Sequence, residues 1–116
     1  MILTKEIVTS TISDILNISP YKGNVIRVGL FGSIARGNAT VKSDADFVID
    51  FRHPKEITFD NTDSVLDYCY LCSEIEDKFK SLYKKSVSII EAEALTYDNN
   101  RDFKNEIEKD LVWIWQ

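Results

Sequence analysis

The chain has 116 residues, a formal net charge of -5, 44% hydrophobic residues and 28% charged residues. That length fits one domain, residues 1–116, able to bury a core without disulfide staples, and the composition excludes a disordered chain. The acidic balance argues against non-specific nucleic-acid binding, which draws its affinity from Lys and Arg on phosphates, but leaves room for a small local phosphate site. The N-terminal segment lacks the basic-then-apolar signature of a signal peptide, and no apolar run approaches the roughly 18 residues of a membrane span. The expected location is the cytoplasm.

Apolar residues Ile7, Val8, Thr11, Ile12, Ile15 and Leu16 recur at helical spacing, so Thr4 to about Ile18 is predicted helical, with Thr4 as its cap. Ser19-Pro20 ends it, because proline disfavours helical geometry in the preceding residue. After a loop at Tyr21–Asn24, Val25 to Phe31 is nearly all apolar and reads as a buried strand, with Arg27 the exception. Ser33 to Gly37 is a short helical turn, and Asn38 to Ser43 is a polar connection. Asp46 to Phe51 forms a second strand, and His53-Pro54 marks a break before an irregular stretch to Asp60.

Asn61 or Thr62 can cap a long helix from Asp63 to Leu82. Its expected apolar face is Val65, Leu66, Cys69, Cys72, Ile75, Phe79 and Leu82, with Lys84-Lys85 near its C-terminus, where cations are favoured. Ser86 to Ile90 is a third strand and Ala92 to Asn100 a connection. A last helix covers about Asn100 to Lys109, with Phe103 and Ile107 inward, and Leu111 to Trp115 closes as a strand. The order predicts an α+β (α/β) fold: a small mixed β-sheet of about four strands flanked by helices.

Three features carry possible chemistry. Cys69 and Cys72 have a CxxC spacing but lie on a helical apolar stretch with no second Cys or His pair, so packing is the favoured reading. Gly32-Ser33 sits where a strand meets a helical turn. Glycine permits positive φ and close ligand approach, the first N–H groups of such a turn attract anions, and Ser33 adds a hydroxyl. The alternative is an ordinary strand-to-helix turn. Asp44 and Asp46, two residues apart in an extended segment, point to one face, where paired carboxylates repel and favour a cation such as Mg²⁺. The alternative is a solvated turn, although Asp is depleted in strands.

Taken together, Gly32-Ser33 followed by Asp44-x-Asp46 between two apolar strands resembles the signature of the DNA polymerase β-like nucleotidyltransferase superfamily. The fuller stretch GSIARGNATVKSDADFVIDF is most similar to its minimal nucleotidyltransferase (MNT) branch, where Gly-Ser-x-Ala-Arg-Gly and Ser-Asp-x-Asp recur in this order. The resemblance implies that Asp44 and Asp46 hold Mg²⁺ and form the catalytic pair. It implies that Gly32 and Ser33 grip the triphosphate of ATP or another nucleoside triphosphate, with Arg36 on the same turn able to contact phosphate. Pairing of Arg36 with a nearby acid is the structural alternative. An acceptor hydroxyl would attack the α-phosphorus and pyrophosphate would leave.

MNT proteins commonly act as antitoxins beside a HEPN-domain ribonuclease toxin. The resemblance therefore implies AMP transfer to such a partner, encoded by an adjacent gene. One departure stands out: the superfamily's third carboxylate is expected where this chain has Ser88. Glu91 has the opposite strand parity to Ser88, and Asp50 lies about 13 Å along the strand from Asp46, at ~3.3 Å per residue. A catalytically weakened binding module that neutralises a partner by complex formation is thus the second reading. An aminoglycoside-type small-molecule transferase ranks behind both, because no second domain is predicted here to bind the acceptor. His53 is expected in a loop role. Trp113 and Trp115, expected on one face of the last strand with Leu111, suit the core first and a partner surface second.

Overall fold

The first helix forms where the apolar spacing places it. In the computed structural model, which describes residues 1–53, 63–96 and 101–116, α1 spans Lys5–Ile18. Thr4 caps it by accepting a 3.2 Å hydrogen bond from the Ile7 N–H, satisfying a group without an intrahelical partner. Val8, Thr11, Ile12, Ile15 and Leu16 are buried, and Ser19 leaves the helix in an extended conformation before Pro20. Strand β1 (Val25–Phe31) runs into the short helix α2 (Gly32–Arg36), which ends at Gly37 with φ 82°. Strand β2 covers Ala45–Phe51, α3 Asp63–Tyr83, β3 Val87–Glu91, α4 Arg101–Asp110 and β4 Val112–Trp115. Short 3₁₀ turns occupy Lys22–Asn24 and Ala92–Thr96. The expected irregular stretch at 54–60, the cap at Asn61 or Thr62, and the end of the connection at 97–100 lie outside the described residues.

The four strands form one mixed sheet in the order β3-β2-β1-β4. Strand β1 is antiparallel to β2 and β4, and β2 is parallel to β3. This is the small mixed sheet flanked by helices that the element order predicts. On one face Phe47, Ile49 and Phe51 join Val8, Ile12 and Leu16 of α1 and Leu71, Ile75 and Phe79 of α3 in the main core. Phe47 and Phe79 meet edge to face with ring centroids 5.5 Å apart. On the other face a smaller cluster centres on Val48, Leu95 and Ile107, with Trp113 and Leu111 against it. Among the described residues, no helix is long and apolar enough to cross a membrane.

Three packing expectations need correction. The buried stripe of α3 is Leu71, Ile75 and Phe79, whereas Val65, Leu66, Cys69 and Leu82 face solvent. The stripe that packs continues through Tyr68 and Tyr83 at intervals of three and four residues, and the expected face was rotated away from it. Both cysteines are free. Burial pushes the half-buried Cys72 thiol up to about 11, while a Tyr68 hydrogen bond pulls it down in part. That is a packing thiol, not a reactive one. Phe103 is exposed, and Ile107 alone anchors that face of α4.

Trp113 and Trp115 do not share a face. The partners are Val28 with Trp115 and Gly29 with Trp113, so Ile114 is an extra residue on β4. Such a bulge breaks strand parity. Trp113 packs on the smaller cluster and Trp115 on the main core, and both are partly buried. Gly29 is required beneath Trp113: a Cβ there would lie 2.5 Å from Leu111 Cδ1 and 3.1 Å from the Trp113 ring.

Candidate active site

Strand direction concentrates the chemistry at one end of the sheet. Because β1 opposes β2 and β3, its C-terminal end meets their N-terminal ends. Phe31 pairs with Asp46 across β1 and β2, and Asp46 pairs with Ser88 across β2 and β3. Gly32 follows Phe31 with φ 78°, a left-handed conformation that an L side chain rarely adopts. A Cβ at position 32 would overlap Oδ2 of Asp46 and lie 3.3 Å from its Cγ. The strand-to-helix turn therefore runs directly over the Asp46 carboxylate. Ser33 is partly buried one residue on, and Phe31 makes no side-chain cap to the N-terminus of α2.

Asp46 is partly buried, and Asp44 is exposed just ahead of the strand. Burial raises the Asp46 carboxyl above its ordinary value. The Ser88 hydroxyl opposes this through a hydrogen bond, the Asp44 charge adds to it, and the Arg36 charge opposes it. Asp44, Asp46, Ser88 and Arg36 thus form one electrostatic group. A partly buried carboxylate with a second beside it is disfavoured in its ionised form unless a cation arrives. Among the described residues, no cluster of three or more His, Cys, Asp and Glu forms a complete protein cage for a metal. Two carboxylates and a hydroxyl suit a hard cation that fills its remaining positions with water and phosphate, as Mg²⁺ does.

Arg36 is engaged elsewhere as well. Its Nη1 donates to Oδ2 of Asp110 at 2.6 Å, joining α2 to the end of α4. The structural alternative for Arg36 is therefore realised, with the guanidinium still near enough to Asp46 to act on its charge. Asp110 lies 74 residues away in sequence. Nothing local signals the pairing.

The other acids at issue in the sequence are occupied. Asp50 accepts from Arg27 Nε at 3.2 Å, and Arg27 lies 3.7 Å over the Trp113 ring. Glu91 pairs with His53, whose Nδ1 is 3.2 Å from Ser64 Oγ and whose ring packs against Phe51 and Tyr68. His53 thus belongs to a side-chain cluster beyond the far end of β2 from Asp46. Neither Asp50 nor Glu91 stands in for an acid at Ser88.

The Gly32 turn and the Asp44–Asp46 pair thus meet at one end of the mixed sheet. Residues 12–114 match the family model described as a nucleotidyltransferase domain, and the chain belongs to that family. Among solved structures, it is similar to one described as a toxin-antitoxin with AMP-PNP. There the TM-score is 0.58 and the identity 15%, covering 92% of this chain and 72% of that one. It also matches a putative nucleotidyltransferase from Sulfolobus solfataricus, with a TM-score of 0.46 and 22% identity over 93% of this chain and 76% of that one. No curated protein matches the chain significantly.

Proposed function

We propose that this chain is a Mg²⁺-dependent nucleotidyltransferase of the MNT branch that moves AMP from ATP onto a hydroxyl of a partner protein. The acceptor is a HEPN-type toxin encoded by an adjacent gene, and the chain acts as its antitoxin in the cytoplasm. The observation that carries this reading is the closure of the Gly32 turn over Asp46, with Asp44 and Ser88 around the same carboxylate. It is also in keeping with the toxin-antitoxin setting and nucleotide analogue of the structural neighbour.

Asp44 and Asp46 would hold the metal, which when bound supplies charge neutralisation for the reacting and leaving phosphates. The Gly32 backbone approaches the triphosphate without a side chain in the way, and the Ser33 hydroxyl hydrogen-bonds a phosphate oxygen. Arg36 offers its guanidinium to the same phosphates. The acceptor oxygen forms a bond to the α-phosphorus as the bond from that phosphorus to the oxygen bridging to the β-phosphate breaks, pyrophosphate leaving and the hydroxyl proton passing to solvent. Ser88 orients Asp46 but carries no charge with which to take the acceptor's proton.

That last point favours a second reading: a weakened relative that neutralises its partner by binding. Incubation with Mg²⁺, labelled ATP and the product of the adjacent gene separates the two. Label on the partner that is lost in Asp44→Ala/Asp46→Ala supports transfer. A tight complex without label in either protein supports the binding module. Ser88→Asp is expected to raise Mg²⁺–nucleotide affinity, and unchanged affinity by calorimetry removes Ser88 from the site.

A further inference from the structure

Lys85 is one of the few charged or polar residues of the described chain that is buried, at 8% exposure. Its position follows from the end of α3. Lys84 takes a left-handed conformation with φ 56°, and the Lys85 N–H turns back to the Phe79 carbonyl at 3.4 Å. That turn points the Lys85 side chain inward. Among the described residues no carboxylate stands within ion-pair distance of its ammonium. The ammonium donates to the backbone carbonyl of Val41.

Burying a cation against a single carbonyl is costly, so the contact calls for a purpose. Val41 belongs to the connection that delivers Asp44. Among the described residues, the other hydrogen bonds of its Thr40–Ser43 turn are internal: Thr40 N–H to Ser43 Oγ at 2.9 Å, Lys42 N–H to Thr40 Oγ1 at 3.2 Å, and Ser43 N–H to the Thr40 carbonyl at 3.1 Å. Among the described residues, Lys85 is the one side chain from outside that bonds the backbone of this turn. Register agrees with the placement. Ala45 pairs with Val87 in parallel strands, so Lys85 precedes β3 by the interval at which Ser43 precedes Ala45.

We propose that Lys85 is a positioning residue for the metal site: it clamps the Thr40–Ser43 turn and thereby fixes Asp44 beside Asp46. This rests on the nucleotidyltransferase reading above and adds to it a residue outside the motif. Groups that orient metal ligands from behind typically matter by about 10- to 100-fold in metal affinity. Lys85→Met keeps the buried stem and removes the donor.

The test has two arms. Hydrogen exchange on the ligand-free protein reads the clamp itself: the amides of Thr40, Lys42 and Ser43 exchange faster in Lys85→Met than in wild type, while those of β1 do not change. Mn²⁺ binding, followed by electron paramagnetic resonance, reads its consequence. Lys85→Met weakens binding about tenfold, Lys85→Arg recovers most of the affinity, and Lys85→Met has no further effect in an Asp44→Asn background. Unchanged exchange in the turn overturns the clamp. Equal loss of Mn²⁺ affinity with and without Asp44 overturns the route through Asp44. A wild type that binds no Mn²⁺ overturns the functional reading and the metal role with it, while the exchange arm still decides the clamp.

Discussion

Gly32 and Asp46 occupy one another's space. The carboxylate of Asp46 lies where a Cβ at position 32 would be, and φ of 78° at Gly32 holds the turn there. Replacing Gly32 with Ala therefore adds backbone strain of about 1–3 kcal/mol and displaces the carboxylate. We expect a loss larger than that strain in urea denaturation and a disproportionate loss of Mg²⁺–ATP binding by calorimetry. The stability loss should shrink in an Asp46→Ala background, where only the backbone strain is left. Equal losses in both backgrounds would separate the two residues.

Asp46 is held in a setting that disfavours its charge, chiefly through burial. A carboxyl raised above its unfolded value favours the folded state most when protonated. That contribution is complete below the unfolded value and is lost as pH rises through the folded one. At neutral pH the ionised group thus destabilises the ligand-free fold. Asp46→Asn is expected to melt higher than wild type at pH 7, with the gain shrinking as pH falls into the carboxylate range. A lower melting temperature at pH 7 would sink this assignment.

Arg36 is shared between Asp110, at 2.6 Å, and the charge of Asp46. The Arg36 side chain is 46% exposed and that of Asp110 15%. A double-mutant cycle with Arg36→Ala and Asp110→Asn should give a coupling of about 0.5–1 kcal/mol without nucleotide. With saturating Mg²⁺–ATP the coupling should fall, as the guanidinium exchanges a carboxylate for phosphate. A coupling unmoved by nucleotide would make Arg36 purely structural.

The face of α3 is decided by Leu71 and Leu82, which are fully buried and 53% exposed respectively. Leu71→Ala should cost about 2–5 kcal/mol, and Leu82→Ala should stay within about 0.5 kcal/mol. Denaturant midpoints compared at equal slope would show it. The reverse order would restore the face expected from periodicity.

Much of the site was readable because it is local. Gly32, Ser33, Asp44 and Asp46 lie within one turn-and-strand segment, whereas the β2–β3 register is what sets Asp46 opposite Ser88, the position the family resemblance singles out. The element order likewise follows from capping at Thr4, the Ser19-Pro20 stop and the apolar strands. What escaped was set by contacts distant in sequence. The Arg36–Asp110 pair joins elements 74 residues apart. The bulge at Ile114 depends on how β4 meets Gly29. The rotation of α3 depends on which stripe the sheet accepts, and Leu66, Leu71 and Leu82 are alike in composition. Burial of Lys85 needs both the left-handed Lys84 and a carbonyl from another strand's approach. Tyr68, Leu71, Ile75, Phe79 and Tyr83, all spaced by three or four, were the available signal for the true face of α3.

The antiparallel β1–β2 pairing has a consequence for how such a chain can diverge. It brings the Gly32 turn and both aspartates together in one segment, residues 32–46, at the end of the sheet. A substitution at Gly32 or Asp46 therefore acts on the other directly, whereas position 88, on a separate strand, can vary on its own against Asp46.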